Sequence, residues 1–475
     1  MRKYLWFVPV LVVTLAGFTM TGVTQSLNPN QVDVWITSYD EVSLLEQQKP
    51  VLLTAGAGSS DGVKITVDAE KEFQEIDGFG ASLTDSSAWL MTKKLKPEAR
   101  EKVLQKLFNP KTGIGLSVLR QPMGASDFAL KSYTYDDLPV GQMDVRLEKF
   151  SINHDKLYII PILKRILEIN PNLNIIASPW SPPAWMKTTN SLLKGRLKPG
   201  GHDWLALYFL KYIQAYKGMG VPIYAITLQN EPNYEPEKYP GMYMSPQDQI
   251  EVVKRLGPML RAANLETKII VWDHNWDKPE FPITVLNDAA AREFVAGSAF
   301  HCYGGNVSAQ SQVQAAHPDK EVYFTECSGG EWSRTFRTNL QYIAQNNIIG
   351  PIRNWSRTAI LWNLALDEKY GPQNGGCNNC RGVIKINQAS GQVDYNVEFY
   401  ALGQASKFVQ PGSRRIASES SDGTVQTVAF TNTDGSRVLL AANAVLNDQQ
   451  ITVMDGSSSF TFKLPGNGVT TFIWQ

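Results

Sequence analysis

The sequence predicts an α/β protein: a (β/α)8 TIM barrel with an antiparallel β-sandwich at its side, built from both chain ends. Three observations lead there. In the middle of the chain, eight short apolar runs alternate with amphipathic stretches. Both flanks instead show alternating apolar and polar residues broken by turn sequences. The 475 residues leave room for both units, since a barrel of this kind uses about 250.

In chain order, residues 1–25 read as a secretory signal peptide. Met1-Arg2-Lys3 precedes an apolar run from Tyr4 to Phe18, which is short for a spanning helix of about 20 residues. The segment from Thr21 to Gln25 lacks a clean small-x-small end, so an uncleaved anchor is the alternative. No later segment reaches a spanning length, and no membrane span is expected after cleavage. Residues 26–75 carry the strand patterns Val32-Asp33-Val34-Trp35-Ile36-Thr37 and Val63-Lys64-Ile65-Thr66-Val67. This segment is too small to fold alone and is expected to join the sandwich. Residues 76–400 hold the barrel, with strands at 76–79, 116–121, 175–179, 224–229, 269–273, 299–303, 322–325 and 359–363. Helices between them are expected at 97–108, 156–169, 204–219 and 246–263, several with a Pro or a capping residue at the start. Residues 401–475 complete the sandwich, with turns at Ser421-Asp422-Gly423, Thr433-Asp434-Gly435-Ser436 and Pro465-Gly466-Asn467-Gly468.

Composition narrows the partner. Lys plus Arg and Asp plus Glu each total 45, so there is no basic field for nucleic acid and no polyanion signature. The 12 Trp supply flat apolar faces of the kind that pack on sugar rings. With 5 His, no H-E-x-x-H and no four-ligand Cys/His cluster, neither a metal nor another cofactor is expected.

Active sites of such barrels lie at the C-terminal ends of the strands. The fourth strand ends in Gln229-Asn230-Glu231-Pro232 and the seventh in Phe324-Thr325-Glu326-Cys327. A pair of carboxylates flanking one bond is the equipment of glycoside hydrolysis. Other strand ends supply Arg120, Trp180 in a Pro-rich loop, Asp273 and His274, His301 and Tyr303, and Trp362-Asn363. These are groups suited to sugar hydroxyls and sugar faces.

Together these motifs resemble glycoside hydrolase family 30, the group of lysosomal glucosylceramidase and microbial endo-β-1,6-glucanases. The resemblance runs from about Glu75 to the C-terminus. It rests on Asp77-Gly78-Phe79-Gly80-Ala81-Ser82-Leu83-Thr84-Asp85, Ser178-Pro179-Trp180-Ser181-Pro182-Pro183, Gln229-Asn230-Glu231-Pro232 and Trp362-Asn363-Leu364-Ala365-Leu366. It implies a retaining β-glycosidase in which Glu231 is the acid/base and Glu326 the nucleophile. Asn230 is implied to contact the sugar 2-hydroxyl and the nucleophile. Asp85, Trp180 and Trp362 would line the glycone pocket, while Tyr303 and Arg120 would lie beside Glu326. The acid is expected to titrate above a free glutamate, and Arg120 to keep the nucleophile ionised. The substrate is expected to be a carbohydrate, first a β-1,6-linked glucan. Glucosylceramide, a small β-glucoside or another glycone such as xylose are the alternatives. Transglycosylation and a non-catalytic sugar-binding barrel remain the other readings.

Cys377 and Cys380 lie in Gly375-Gly376-Cys377-Asn378-Asn379-Cys380 and are expected to form a loop-closing disulfide, with a free thiol pair as the alternative. Cys302 and Cys327 are expected as buried thiols. The loop from Asn233 to Tyr243 is polar and aromatic and is expected to shape the aglycone side.

Overall fold

The computed structural model describes residues 28–475 apart from Ala57, Ser59 and Ser60; the leader expected at 1–25 lies outside the described residues. Eight parallel strands form the barrel: Gly78–Ser82, Val118–Met123, Asn174–Pro179, Ala225–Thr227, Lys268–Trp276, Val295–Gly305, Glu321–Glu326 and Thr358–Leu361. Neighbours pair in chain order and the eighth pairs with the first. Between the seventh and eighth, the ladder is reduced to a Val322–Ser356 bridge. The Thr358 hydroxyl restores the closure, accepting from Phe324 N at 3.2 Å and donating to Phe324 O at 3.1 Å. Val118, Ile176, Ala225, Ile270, Tyr323 and Ile360 fill the interior, all fully buried, so the barrel is packed rather than open.

Two strands depart from expectation in ways that shape the site. The fourth stops at Thr227, so Asn230 and Glu231 lie beyond the ladder. The fifth bulges at Trp272 and Asp273, which adopt φ of 72° and 73°; a bulge re-aims the side chains it carries. The helices between strands begin where capping chemistry allows. Pro97–Phe108 opens with its proline. In Pro246–Ala262, Ser245 and Asp248 form a reciprocal capping box.

The sandwich strands run in the order Leu44–Gln47, Gln31–Thr37, Val469–Trp474, Arg437–Asn443, Val425–Thr431, Arg414–Ser420, Val63–Glu75, Gln449–Asp455, Ser458–Leu464 and Thr54–Ala55. Both chain ends therefore contribute. One pair is parallel, Val63–Glu75 with Gln449–Asp455, and the other described pairs of this sheet are antiparallel. Helix Val397–Ser406 runs across residue 400 and contacts both the first barrel strand and the sandwich strands Gln31–Thr37 and Val469–Trp474. No helix among the described residues is long and apolar enough to cross a membrane.

Candidate active site

Glu231 and Glu326 meet at the C-terminal mouth of the barrel. One carboxylate oxygen of each and a ring nitrogen of His301 all lie within 4.8 Å of one another. Glu326 closes the seventh strand. Glu231 holds φ at +48°, a conformation rare outside glycine, and its N–H donates to Asp273 O at 3.0 Å. Such backbone strain concentrates at functional sites.

Arg120, fully buried at the second strand, ties the site together. Its Nη1 donates to Glu326. Its Nη2 donates to Asn230 Oδ1 at 2.7 Å and to Asp273 Oδ2 at 2.8 Å. The guanidinium also lies 4.9 Å from the Trp180 ring centre. Tyr303 OH donates to Glu326 Oε1 at 2.9 Å. Trp180 and Trp362 stack with centroids 5.1 Å apart. Asp273 collects donors from Ser178 at 2.8 Å and from Thr227 and Thr325 at 2.6 Å. Burial alone would raise its carboxyl, but the Arg120 and His301 charges hold it well below the usual range.

His301 stands between carboxylates, its Nδ1 3.1 Å from Glu231 and its Nε2 3.1 Å from Asp273. With both neighbours ionised, both ring nitrogens must carry hydrogens and the ring is a cation. Burial opposes that charge, but Glu326, Asp273 and the hydrogen bonds push its pKa up to about 9. Two acidities differ from the expected order. Burial favours a proton on Glu231, but His301, by hydrogen bond and charge, lowers its pKa. Burial, with repulsion from Glu231, raises Glu326 against the pull of His301 and Arg120. The contact with His301 thus favours the ionised form of Glu231 and the protonated form of the imidazole. The residues titrate as one unit.

The cavity over these groups has a volume of about 570 Å³, within the range of small-ligand pockets. Arg120, Asn230, Glu231, Tyr303, Glu326, Trp180 and Trp362 are brought together there. Asp85 is not among the lining residues. Its carboxylate accepts from Leu130 N at 2.9 Å and pairs with His154 at 3.0 Å, bracing the loop behind the pocket. The carboxyl on the wall is Asp127, four residues beyond the second strand. Burial, with repulsion from Glu326 and Glu231, raises it well above the usual range. No sequence signal marked it beyond its place in the loop after Arg120. Trp332, also on the wall, was equally unmarked.

Both cysteine pairs are disulfides. Cys377 and Cys380, with Cα atoms 5.7 Å apart, line the cavity. Cys302 and Cys327 are bonded, not free thiols. The register His301↔Glu326 sets the next residues across from each other, with Cα atoms 5.4 Å apart.

Glu231, His301 and Glu326 have the proximity of a three-ligand metal group. Their donor set suits it poorly. The imidazole nitrogens are engaged with two carboxylates, and Arg120 occupies Glu326.

A parallel barrel with two facing glutamates at the ends of its fourth and seventh strands is the architecture of a barrel glycosidase. The family model for the glycosyl hydrolase family 30 TIM-barrel domain matches residues 76–409, and that for the family's β-sandwich domain matches residues 412–472. The chain belongs to glycosyl hydrolase family 30. It is 34% identical over 456 residues to endo-1,6-beta-D-glucanase neg1 of Aspergillus fumigatus, covering 89% of this chain and 90% of that one. It is 30% identical to the lysosomal acid glucosylceramidase of Mus musculus, over 87% of this chain and 84% of that one. Among solved structures it is similar to the endo-beta1,6-glucanase BT3312, with a TM-score of 0.86 and 35% identity, covering 94% of this chain and 99% of that one.

Proposed function

We propose that the chain is an exported endo-β-1,6-glucanase that works with retention of configuration. The observation that carries the mechanism is the close approach of Glu231 and Glu326, within 4.8 Å. Retaining pairs stand about 5–5.5 Å apart, inverting pairs about 6.5–9.5 Å. Glu326 attacks the anomeric carbon and Glu231 protonates the leaving oxygen; Glu231 then deprotonates the water that releases the glycosyl-enzyme. The proton reaches Glu231 from His301 Nδ1, 3.1 Å away. The transfer leaves Glu231 and His301 neutral together, and Arg120 and Tyr303 remain to hold the nucleophile as an anion. Asn230, oriented by Arg120, faces the sugar 2-hydroxyl, and Trp180, Trp362 and Asp127 wall the glycone.

The β-1,6 linkage is favoured by the endo-1,6-β-glucanases at 34% and 35% identity. Export is favoured by the basic start and apolar run at 1–25 and by the two disulfides. We place the division at sandwich segments 26–75 and 401–475 around a barrel at 76–400. The test is product analysis on β-1,6-glucan, β-1,3-glucan and glucosylceramide. Gentio-oligosaccharides released as the β-anomer are expected; glucose from glucosylceramide alone would replace the glucan reading.

A further inference from the structure

The cavity presents aromatic surface that bond cleavage does not use. Tyr234 and Trp332 line it, and they are 48% and 56% exposed. Large rings left in water carry an unfavourable hydration that a ligand's apolar face relieves. Tyr234 stands three residues after Glu231, its N–H donating to Glu231 O at 2.9 Å. Trp332 stands six residues after Glu326, its ring packed on Gly330, where a Cβ would come within 2.0 Å of it. Both rings therefore belong to the loops that leave the two catalytic carboxylates. Trp180 and Trp362, almost fully buried, close the deep end of the cavity, whereas Tyr234 and Trp332 stand at its open rim, where the leaving group of a sugar seated on the deep rings emerges.

One buried lysine fixes the Tyr234 loop; burial lowers its pKa to about 7, against which it keeps three acceptors. Lys187 is fully buried after the third strand. Its Nζ donates to Ser181 Oγ at 2.9 Å, Leu192 O at 2.8 Å and Gly241 O at 2.7 Å. Three ammonium hydrogens meet three acceptors. Around this knot the two loops are joined further. Gly241 N donates to Leu192 O at 3.0 Å, Tyr243 N to Gly195 O at 2.9 Å, and Gly195 N to Glu235 Oε1 at 2.8 Å. The ammonium bonds to backbone and a hydroxyl beside the cavity, and its role is in the loop's shape rather than in the chemistry.

We propose that Tyr234 and Trp332 form a subsite for the pyranose ring of the leaving group, and that Lys187 is the positioning residue for its Tyr234 side. The ligand is a neutral hexopyranosyl residue of a β-linked oligosaccharide, its C–H faces packed on the rings. The proposal rests on the glycosidase reading above and adds the leaving-group side to it.

The test compares a gentio-oligosaccharide with β-glucosyl fluoride, whose leaving group has no ring. In Tyr234→Ala, Trp332→Ala and Lys187→Met, kcat/KM for the oligosaccharide should fall about tenfold or more, chiefly through KM. The loss on the fluoride should be several-fold smaller. Adding Lys187→Met to Tyr234→Ala should cost little more, because both act on one wall. Should Lys187→Met not fold, Lys187→Gln, which keeps donors for two acceptors, is read in the same way. Equal losses on both substrates, or unchanged oligosaccharide kinetics, would overturn the subsite. A full additional loss in the double variant would overturn the role of Lys187. A wild-type protein inert towards both substrates would overturn the glucan reading itself, a pattern distinct from variants that lose both equally.

Discussion

At the scale of single residues, the proposed mechanism divides two jobs between two glutamates in unlike surroundings. Glu326 accepts from Arg120 and Tyr303, and Glu231 lies 3.1 Å from His301 Nδ1. Glu326→Gln should abolish formation of the glycosyl-enzyme, read as loss of labelling by a 2-fluoro glycoside. Glu231→Ala should retain more turnover on aryl glycosides with good leaving groups, and azide should restore it, because an anionic nucleophile needs no general base. Labelling at any other residue would refute the division. The pH profile follows from the same contacts. As pH rises towards about 9, the Glu231–His301 unit loses the proton the leaving group needs, and kcat/KM should fall. As pH drops, Glu326, raised by burial and by Glu231, takes a proton, so the acid limb should lie above an ordinary glutamate's titration. His301→Gln should move the alkaline limb to lower pH. In stability the sign is that of a raised base. The His301 contribution is full below its ordinary pKa of about 6.5 and is lost as pH climbs through about 9. A fixed position of the alkaline limb in His301→Gln would exclude the imidazole as the proton store. Since the donors of the Glu231–His301–Glu326 group are engaged with each other and with Arg120, dialysis against EDTA should leave turnover unchanged. Restoration by one divalent ion after a loss would contradict this.

At the scale of elements, what could be read from sequence depended on distance along the chain. Strand-end glutamates were legible because an apolar run and the carboxylate after it are neighbours in sequence. So was Arg120, on its own strand. Asp127 was not, because its loop is set by remote partners: Asn374 N donates to Asp127 O at 2.7 Å, and Asp85 holds Leu130 N. The motif ending in Asp85 pointed to the right wall but to the carboxylate behind it. The Cys302–Cys327 bond was illegible for the same reason, since it needs the register between the sixth and seventh strands. The Cys377–Cys380 loop joins two such elements. Gly376 lies so close to Asp127 that a Cβ would come within 2.8 Å of its Oδ2. Cys380 pairs with Gly330 in a short antiparallel bridge beyond Glu326, and Glu331 N donates to Asn379 O at 2.9 Å. A bridge across so few residues should contribute well under the roughly 3 kcal/mol of a 15-residue loop. Its influence should therefore fall on the pocket. In Cys377→Ser/Cys380→Ser, KM for polymeric substrate should rise severalfold while the melting temperature shifts by a few degrees at most. An unchanged KM with a large drop in melting temperature would show the loop to be structural only.

At the scale of the whole molecule, the sandwich is part of the barrel's core. Alternate residues of its strands point to two different interiors. Val425, Ala429, Leu439 and Ala441 pack within the sandwich. Val428, Phe430, Val438, Leu440 and Ala442 join the same buried cluster as the barrel helices. The period of two that marks a strand thus supplies each unit with one face. Polar contacts cross the seam as well. Gln404 donates to Thr37 Oγ1 at 2.8 Å, and Thr471 Oγ1 donates to Gln404 O at 2.6 Å, tying the barrel's last helix to strands from both chain ends. Gln74 Nε2 donates to Ile352 O at 2.6 Å and Ser356 O at 2.9 Å, beside the strand that closes the barrel. An interface of this kind is apolar, continuous with the core and hydrogen-bonded, unlike the polar contact between domains that move. The two units should therefore unfold together. Calorimetry should show one transition, with the calorimetric and van't Hoff enthalpies equal. A chain ending at residue 409 should leave barrel-facing apolar surface uncovered and be recovered aggregated or bound to a hydrophobic dye. Two separate transitions, or a soluble truncated barrel with full turnover, would show instead that the sandwich is an independent appendage.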